Sequence, residues 1–171
     1  MIPHDVAAVE AFWRSFLATF PDSSAMRVKP YSVDAFGDSP RLADELGTLA
    51  ASGVKSATCA SPWEYEAEGT PIPKPGLLTV VVDGHGRPLC IVETVEVQVR
   101  AFQDVDPLFA FDEGEGDRSI EHWRRSHWDF FSRTLPLIGR APSEDMPLVC
   151  ARFRLLFSGG ASEDPLTPDR S

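Results

Sequence analysis

Lysine is scarce in this chain: three residues (Lys29, Lys55, Lys74) stand against 13 arginines. Cysteine is as sparse, with Cys59, Cys90 and Cys150 far apart in apolar segments, odd in number and without a CxxC spacing. That pattern excludes a disulfide frame and a clustered zinc motif, and reads as buried thiols in a reducing compartment. No stretch approaches the roughly 20 consecutive apolar residues that cross a bilayer, which excludes a transmembrane helix and a membrane partner. The start, Met1-Ile2-Pro3-His4-Asp5, has no basic segment leading into an apolar run, so no signal peptide is expected and the expected location is cytoplasmic. A glycine-rich phosphate loop, GxSxG and HExxH are all missing, and no cysteine has an evident histidine partner. Rossmann, P-loop, serine hydrolase, thiol protease and metalloprotease chemistries therefore find no support.

What the chain has in excess is carboxylate. Lys plus Arg total 16 and Asp plus Glu 26, for a formal charge of −10 over 171 residues. An acidic surface repels polyanions, so a broad basic nucleic-acid surface is disfavoured and no DNA partner is expected. A small-molecule site, a protein partner or a basic pocket inside an acidic shell remain.

Periodicity divides the chain into recognisable pieces. Asp5 caps a predicted helix to about Phe20, with Val9, Phe12, Trp13, Phe16, Leu17 and Phe20 at three-to-four spacing. Ser39-Pro40 opens a second helix, Arg41 to Ser52, which Gly53 stops. Val54 to Cys59 reads as a strand with Lys55, Ala57 and Cys59 on one face. Residues 64–76 read as a Pro/Gly-rich loop. Leu77 to Val82 and Pro88 to Phe102 pair as a hairpin around Asp83-Gly84-His85-Gly86. Asp106-Pro107 starts a short helix, Ser119 caps another from about Arg118 to Leu135, and Leu148 to Phe157 is a late strand. On that strand Val149, Ala151, Phe153, Leu155 and Phe157 form the expected buried side. Two early helices, long alternating strands and a late helix make an α+β domain, with a curled sheet or small barrel and helices outside.

Four groups could carry chemistry. Lys55, in the segment Gly53 to Thr58, is costly to bury charged, and desolvation is expected to lower its pKa, making it a base or an anchor for an oxyanion. The competing account is an edge lysine whose stem lies on the sheet with its head in water. Asp104 to Asp117 holds six carboxylates and no base. Its glycine-separated Glu113, Glu115 and Asp117 suit a carboxylate at a pocket rim, or simply a solvated acidic loop. On the late helix Arg118, Trp123, Arg124, Arg125, His127 and Trp128 could hold a phosphate and stack a base, or form a plain amphipathic helix. His122 and His127 are five apart, which does not suit two zinc ligands on one helix, and no metal or cofactor is expected. Trp63 and Tyr65, on the loop after Lys55, are a stacking platform or a loop anchor.

Taken in order, Phe36-Gly37-Asp38-Ser39-Pro40, Leu42 to Leu46, Gly53-Val54-Lys55-Ser56-Ala57-Thr58, Cys90 to Thr94, Glu113 to Asp117, Trp123, His127, Phe130-Phe131, Glu144-Asp145 and Val149-Cys150 resemble the ASCH domain family, a branch of the PUA-like proteins. The resemblance implies a PUA-like β-barrel with flanking helices over residues 36–157. Residues 1–35 would be a helical extension packed on the domain, and 158–171 a disordered tail. It also implies a cleft for single-stranded RNA or a modified nucleoside.

Two activities are assigned within the family: single-stranded RNA cleavage, and hydrolysis of N4-acylated cytidines by a Lys-x-x-Thr pair with a later Glu. Lys55 and Thr58 match the pair and Glu113 the later carboxylate. Trp63, Tyr65, Lys74, Glu115, Arg118, Trp123, Arg124 and His127 are the expected ligand contacts. By length and by its EGEGD and W-x-x-x-H features the chain is similar to the larger members, which puts ribonuclease ahead of amidohydrolase. A non-catalytic binding module is the third reading, and a homodimer is compatible with all three. If RNA is the ligand, Lys55, Lys74, Arg118, Arg124 and Arg125 are expected around one cleft.

Overall fold

The computed structural model describes residues 3–159, among which five α-helices and five strands are found. Asp5 caps α1 (Val6–Leu17) by accepting from the Ala8 amide at 3.0 Å. Ser39 caps α2 (Pro40–Ala51) through the Leu42 amide, with Pro40 in the first turn where it lacks no needed donor. Both start as the sequence leads one to expect. The segment after Lys55 does not. Residues 62–68 form α3 (Pro62–Glu68), not loop, because Ser61 and Glu64 build a reciprocal capping box and Pro62 takes the first position. Trp63 and Tyr65 accordingly stand on a helix.

The strands are β1 (Tyr31–Asp34), β2 (Ala57–Ala60), β3 (Leu78–Val82), β4 (Pro88–Ala101) and β5 (Pro147–Ser158). They form one mixed sheet in the order β1-β3-β4-β5-β2. β1 runs parallel to β3, and the other pairings are antiparallel. A strand at 31–34 was not expected within a helical extension. It contributes the sheet's outer edge, with Tyr31 opposite Leu78.

The sheet is not closed into the expected barrel, since the four-residue strands β1 and β2 are its two free edges. It is nonetheless strongly curled. Asp34, Thr58, Val81, Thr94 and Phe153, one from each strand, all line a single cavity of about 300 Å³. Shifts of register within β4 and β5 supply the bending.

Both faces of the sheet are covered. Val9, Trp13 and Phe16 of α1 pack on Leu78, Val80, Val82 and Ile91. Ala50 of α2 meets Val81, Val92 and Phe153 on the opposite side. A third group joins Phe102, Phe109, Trp123, Phe131 and Leu135 to Leu148 and Cys150. This double coverage corrects the one-sided reading of β5. Leu148 and Cys150 are as buried as Val149 and Ala151, whereas Leu155 is exposed. Ser158 still pairs with Cys90, and the tail expected from there lies, from residue 160 on, outside the described residues.

Two further helices complete the domain: α4 (Pro107–Glu113), capped by Asp106, and α5 (Ile120–Thr134), capped by Ser119. No helix among the described residues is long and apolar enough to cross a membrane.

Candidate functional site

The site is assembled where the end of α4 meets the turn between α2 and β2. The Val54 and Lys55 amides both donate to the Leu49 carbonyl, which folds the chain back from α2. The Ser56 amide then donates to the Asp112 carbonyl at 2.7 Å and fastens this turn to α4. Gly114 ends α4 in the left-handed conformation (φ +74°), and a Cβ there would lie 2.6 Å from the Val54 carbonyl oxygen. Only glycine allows that approach. Lys55 and Glu113 are thereby placed side by side from 58 residues apart.

Lys55 is 2% exposed and Glu113 1%. The Lys55 Nζ donates to Glu113 Oε2 at 3.0 Å and to Glu115 Oε1 at 2.7 Å, with the Glu113 carbonyl at 3.4 Å. It also lies 5.3 Å from the centre of the Phe36 ring. This contradicts the expected neutral lysine. Burial alone would lower the Lys55 pKa, but the two carboxylates overcome it and raise it, so the ammonium form is held. Of the two roles expected for Lys55, base or anchor for an oxyanion, these contacts suit the anchor.

Glu113 is the centre of a second set of contacts. Its Oε1 accepts from Trp123 Nε1 at 3.0 Å and faces His127 Nε2 at 3.5 Å. Burial would raise this carboxyl, yet Lys55 and then His127 outweigh it and hold it far below the usual range. The His127 Nδ1 lies 3.0 Å from the Trp123 carbonyl, an acceptor only, so Nδ1 carries a proton. With Nε2 facing a carboxylate, the imidazolium is favoured: burial lowers its pKa, but Glu113 raises it further. The Cys59 thiol is pushed well up, first by burial and then by Glu113, so it is a poor nucleophile.

These groups floor a cleft of about 280 Å³. Lys55, Thr58, Cys59, Glu115 and His127 line it, with the rings of Phe36 and Phe130 and, at its mouth, Arg41 and Arg133. Glu113 lies behind Lys55; two carboxylates, Glu115 and Asp129, line the open space, and Glu115, whose side chain keeps 19% of its exposure, is the one bonded to Lys55. Thr58 and Phe36 also line the cavity on the curled face of the sheet, so the two hollows share a wall.

Other sequence candidates fall elsewhere. Tyr65 lines the sheet-face cavity. Trp63 packs beside the Phe109–Trp123 core, with the Arg140 guanidinium 5.0 Å from its ring. Lys74 is exposed on the loop after α3. Arg118 folds over Phe111, 3.6 Å from the ring centre, and donates to the Phe111 carbonyl. Arg124 and Arg125 line a separate shallow surface pocket with Trp128. Trp123 is buried and serves Glu113, not a base. The expected gathering of Lys74, Arg118, Arg124 and Arg125 around Lys55 does not occur. The cations at the mouth are Arg41 and Arg133, which sequence reasoning missed because they belong to two separate helices.

The ASCH domain profile matches residues 32–156. The chain belongs to the ASCH domain family. A solved ASCH domain from Lactobacillus crispatus JV V101 is 31% identical, with TM-score 0.81 over 88% of this chain and 94% of that one. A protein from Enterococcus faecalis V583 is 33% identical, with TM-score 0.75 over 88% of this chain and 89% of that one. Comparison with curated proteins finds no match. In this ASCH protein the profile match takes in all of β1 but Tyr31, and every residue that lines the cleft.

Proposed function

We propose that this ASCH protein cleaves single-stranded RNA, taking one nucleotide unit into the cleft and needing no metal for either proton transfer. The observation that carries this reading is the convergence of a partly open carboxylate, an imidazolium and an ammonium between two aromatic rings, with two arginines at the mouth. Phe36 and Phe130 suit the faces of a base. Arg41 and Arg133, paired among the described residues with the carboxylates Glu45 and Asp38, suit the flanking phosphates. A short anionic ligand reconciles a −10 chain with RNA, because few phosphates need be met.

In the reaction, Glu115 accepts the proton of the ribose 2′-hydroxyl, and the 2′-oxygen forms a bond to phosphorus. The bond from phosphorus to the 5′-oxygen breaks, and His127 supplies that oxygen's proton. The products are a 2′,3′-cyclic phosphate and a 5′-hydroxyl. Lys55 holds Glu115 in place and offsets the charge building on phosphate. Glu113 holds Lys55 and His127, and positions both.

A second reading has one observation in its favour: Thr58 stands in the wall shared by the charged cleft and the less polar sheet-face cavity. An N4-acylcytidine could place its base in one and its acyl group in the other, with the Thr58 hydroxyl attacking the amide carbon. Lys55, held as an ammonium, would then stabilise the oxyanion, and Glu115 would take the hydroxyl proton and return it to N4 as the C–N bond breaks; water would then hydrolyse the Thr58 ester to free the acid.

Labelled single-stranded RNA and N4-acetylcytidine, each incubated with the protein in EDTA, separate these readings. RNA cut to cyclic-phosphate ends, with a loss of about 10²–10⁴-fold in Glu115→Gln, is expected. Deacetylation without RNA cleavage selects the second reading. RNA binding without either reaction makes the protein a binding module and overturns both.

A further inference from the structure

Three groups at the back of the cleft come together from three separate elements: Cys59 on β2, Glu113 at the end of α4 and His127 on α5. Their sulfur, oxygen and nitrogen donor atoms all lie within 4.8 Å of one another. We propose that Cys59, Glu113 and His127 form a three-ligand site for a zinc-class divalent ion, with the fourth position open to the cleft.

The geometry supports an ion in several independent ways. Glu113 Oε1 and His127 Nε2 are 3.5 Å apart. Two ligands at about 2.1 Å from a tetrahedral zinc are separated by about 3.4 Å, so an ion fits between them with little movement. The His127 Nδ1 is already tied to the Trp123 carbonyl at 3.0 Å. That bond fixes the ring and presents Nε2 as the ligand atom, the arrangement by which backbone carbonyls orient metal-binding histidines. Trp123 Nε1 donates to the same Glu113 oxygen that would bind, and Lys55 holds the other oxygen, so the carboxylate cannot rotate away. Cys59 and His127 both line the cleft, which gives the ion an entry path and a place for a bound water. A soft sulfur, an imidazole and one carboxylate select zinc over magnesium or calcium, which prefer all-oxygen sites.

Lys55 would repel an incoming cation, and its placement answers this. Lys55 lies on the Oε2 side of Glu113 and is already paired with Glu113 and Glu115, whereas the ion would take the Oε1 side, so the carboxylate stands between the two cations.

A filled site has a consequence that rests on the proposed RNA cleavage. Zinc would take the Nε2 position from which His127 supplies its proton. The ion would thus act as an inhibitor of this cleavage, and the Cys59–Glu113–His127 cluster as its receptor.

Cobalt(II) and zinc titrations of the full chain test the site without reference to activity. One ion per chain is expected, at micromolar affinity or tighter in competition with a chromophoric chelator. The cobalt form should show a near-ultraviolet thiolate-to-metal band. Cys59→Ser and His127→Gln should each remove the band and weaken binding at least about 10–100-fold, while Cys150→Ser, a nearby thiol outside the triad, keeps both. Circular dichroism confirms that each variant is folded. No stoichiometric binding, or binding that survives both triad substitutions, overturns the proposal. RNA cleavage should fall with added zinc and return with EDTA. A wild-type protein that binds zinc but never cuts RNA overturns the cleavage reading and leaves the metal site standing.

Discussion

The Lys55 ammonium and the Glu115 carboxylate meet at 2.7 Å on the floor of the cleft, one fully enclosed and the other open to solvent on one side. Lys55 is thus shared between a carboxylate it stabilises, Glu113, and a carboxylate it presents, Glu115. Removing the shared cation should harm the fold first. Lys55→Met leaves Glu113 buried with its main counter-charge gone, and a loss of about 3–5 kcal/mol is expected in urea denaturation. Lys55→Met combined with Glu113→Gln should recover much of that loss, because the buried carboxylate is gone and His127, without Glu113 to hold its charge, goes neutral. Equal stability of the single and double variants would contradict the burial argument.

The two carboxylates should separate cleanly in their effects. Glu115→Gln touches a partly exposed group, so its melting temperature should stay near that of the parent while RNA cleavage drops about 10²–10⁴-fold. Glu113→Gln leaves Lys55 with Glu115 alone and weakens the bonds to Trp123 and His127, so it should lower the melting temperature markedly. Thermal melts run beside the cleavage assay on both variants check the split.

Gly114 sets the distance between the two halves of the site. Gly114→Ala combines a left-handed backbone with a methyl carbon 2.6 Å from the Val54 carbonyl oxygen. The backbone conformation alone costs on the order of 1–3 kcal/mol, and the contact forces α4 away from Lys55. Denaturation should show at least that loss, and cleavage should fall with it. The same substitution at Gly69, which also has a positive φ but faces open space, should cost stability without that effect on cleavage.

Acid should loosen α4 through its cap. The Asp106 carboxyl accepts from the Phe109 amide and pairs with Arg100, and these hold its pKa below the ordinary value. A carboxyl that is more acidic in the folded chain contributes stability that is complete above its unfolded value of about 3.9 and lost as pH falls through the folded value. Asp106→Asn keeps a capping side chain but removes the titration. The gap in urea midpoint between parent and variant should be widest near neutrality and shrink below about pH 4. A gap that stays constant with pH would rule out this contribution.

Much of the scaffold could be read from local pattern, because caps and periodicity act over a few residues. Asp5, Ser39, Asp106 and Ser119 all cap the helices expected after them. Residues 62–68 escaped because Pro62 looks like a loop residue until it is placed at the first turn behind Ser61. The four-residue β1 escaped because so short a strand has almost no period. Within the site, Lys55 was legible as an anomaly, a lone lysine among small residues. Its state was not, since only the three-dimensional arrival of Glu113 and Glu115 turns a lysine expected to be neutral into a fixed cation. Cys59 and His127 are 68 residues apart, and no spacing rule joins them. Trp123 and His127 stack on each other at 4.3 Å, and of the two Trp123 turns inward to Glu113 while His127 keeps an edge on the cleft.

The long separation of Lys55 from its carboxylates also orders the folding reaction. Glu113 and Glu115 lie 58 and 60 residues further along the chain, beyond the whole β3–β4 hairpin. Until β5 brings β2 and α4 together, all three charges keep their water, so dehydrating them belongs to the last part of the barrier crossing. Substitutions in the cluster should therefore leave the refolding arm of a chevron nearly unmoved and raise the unfolding arm, with φ-values near zero. A chain built this way collapses around its apolar layers first. Its charged centre acts as a latch, setting how long the folded protein lasts more than how fast it forms.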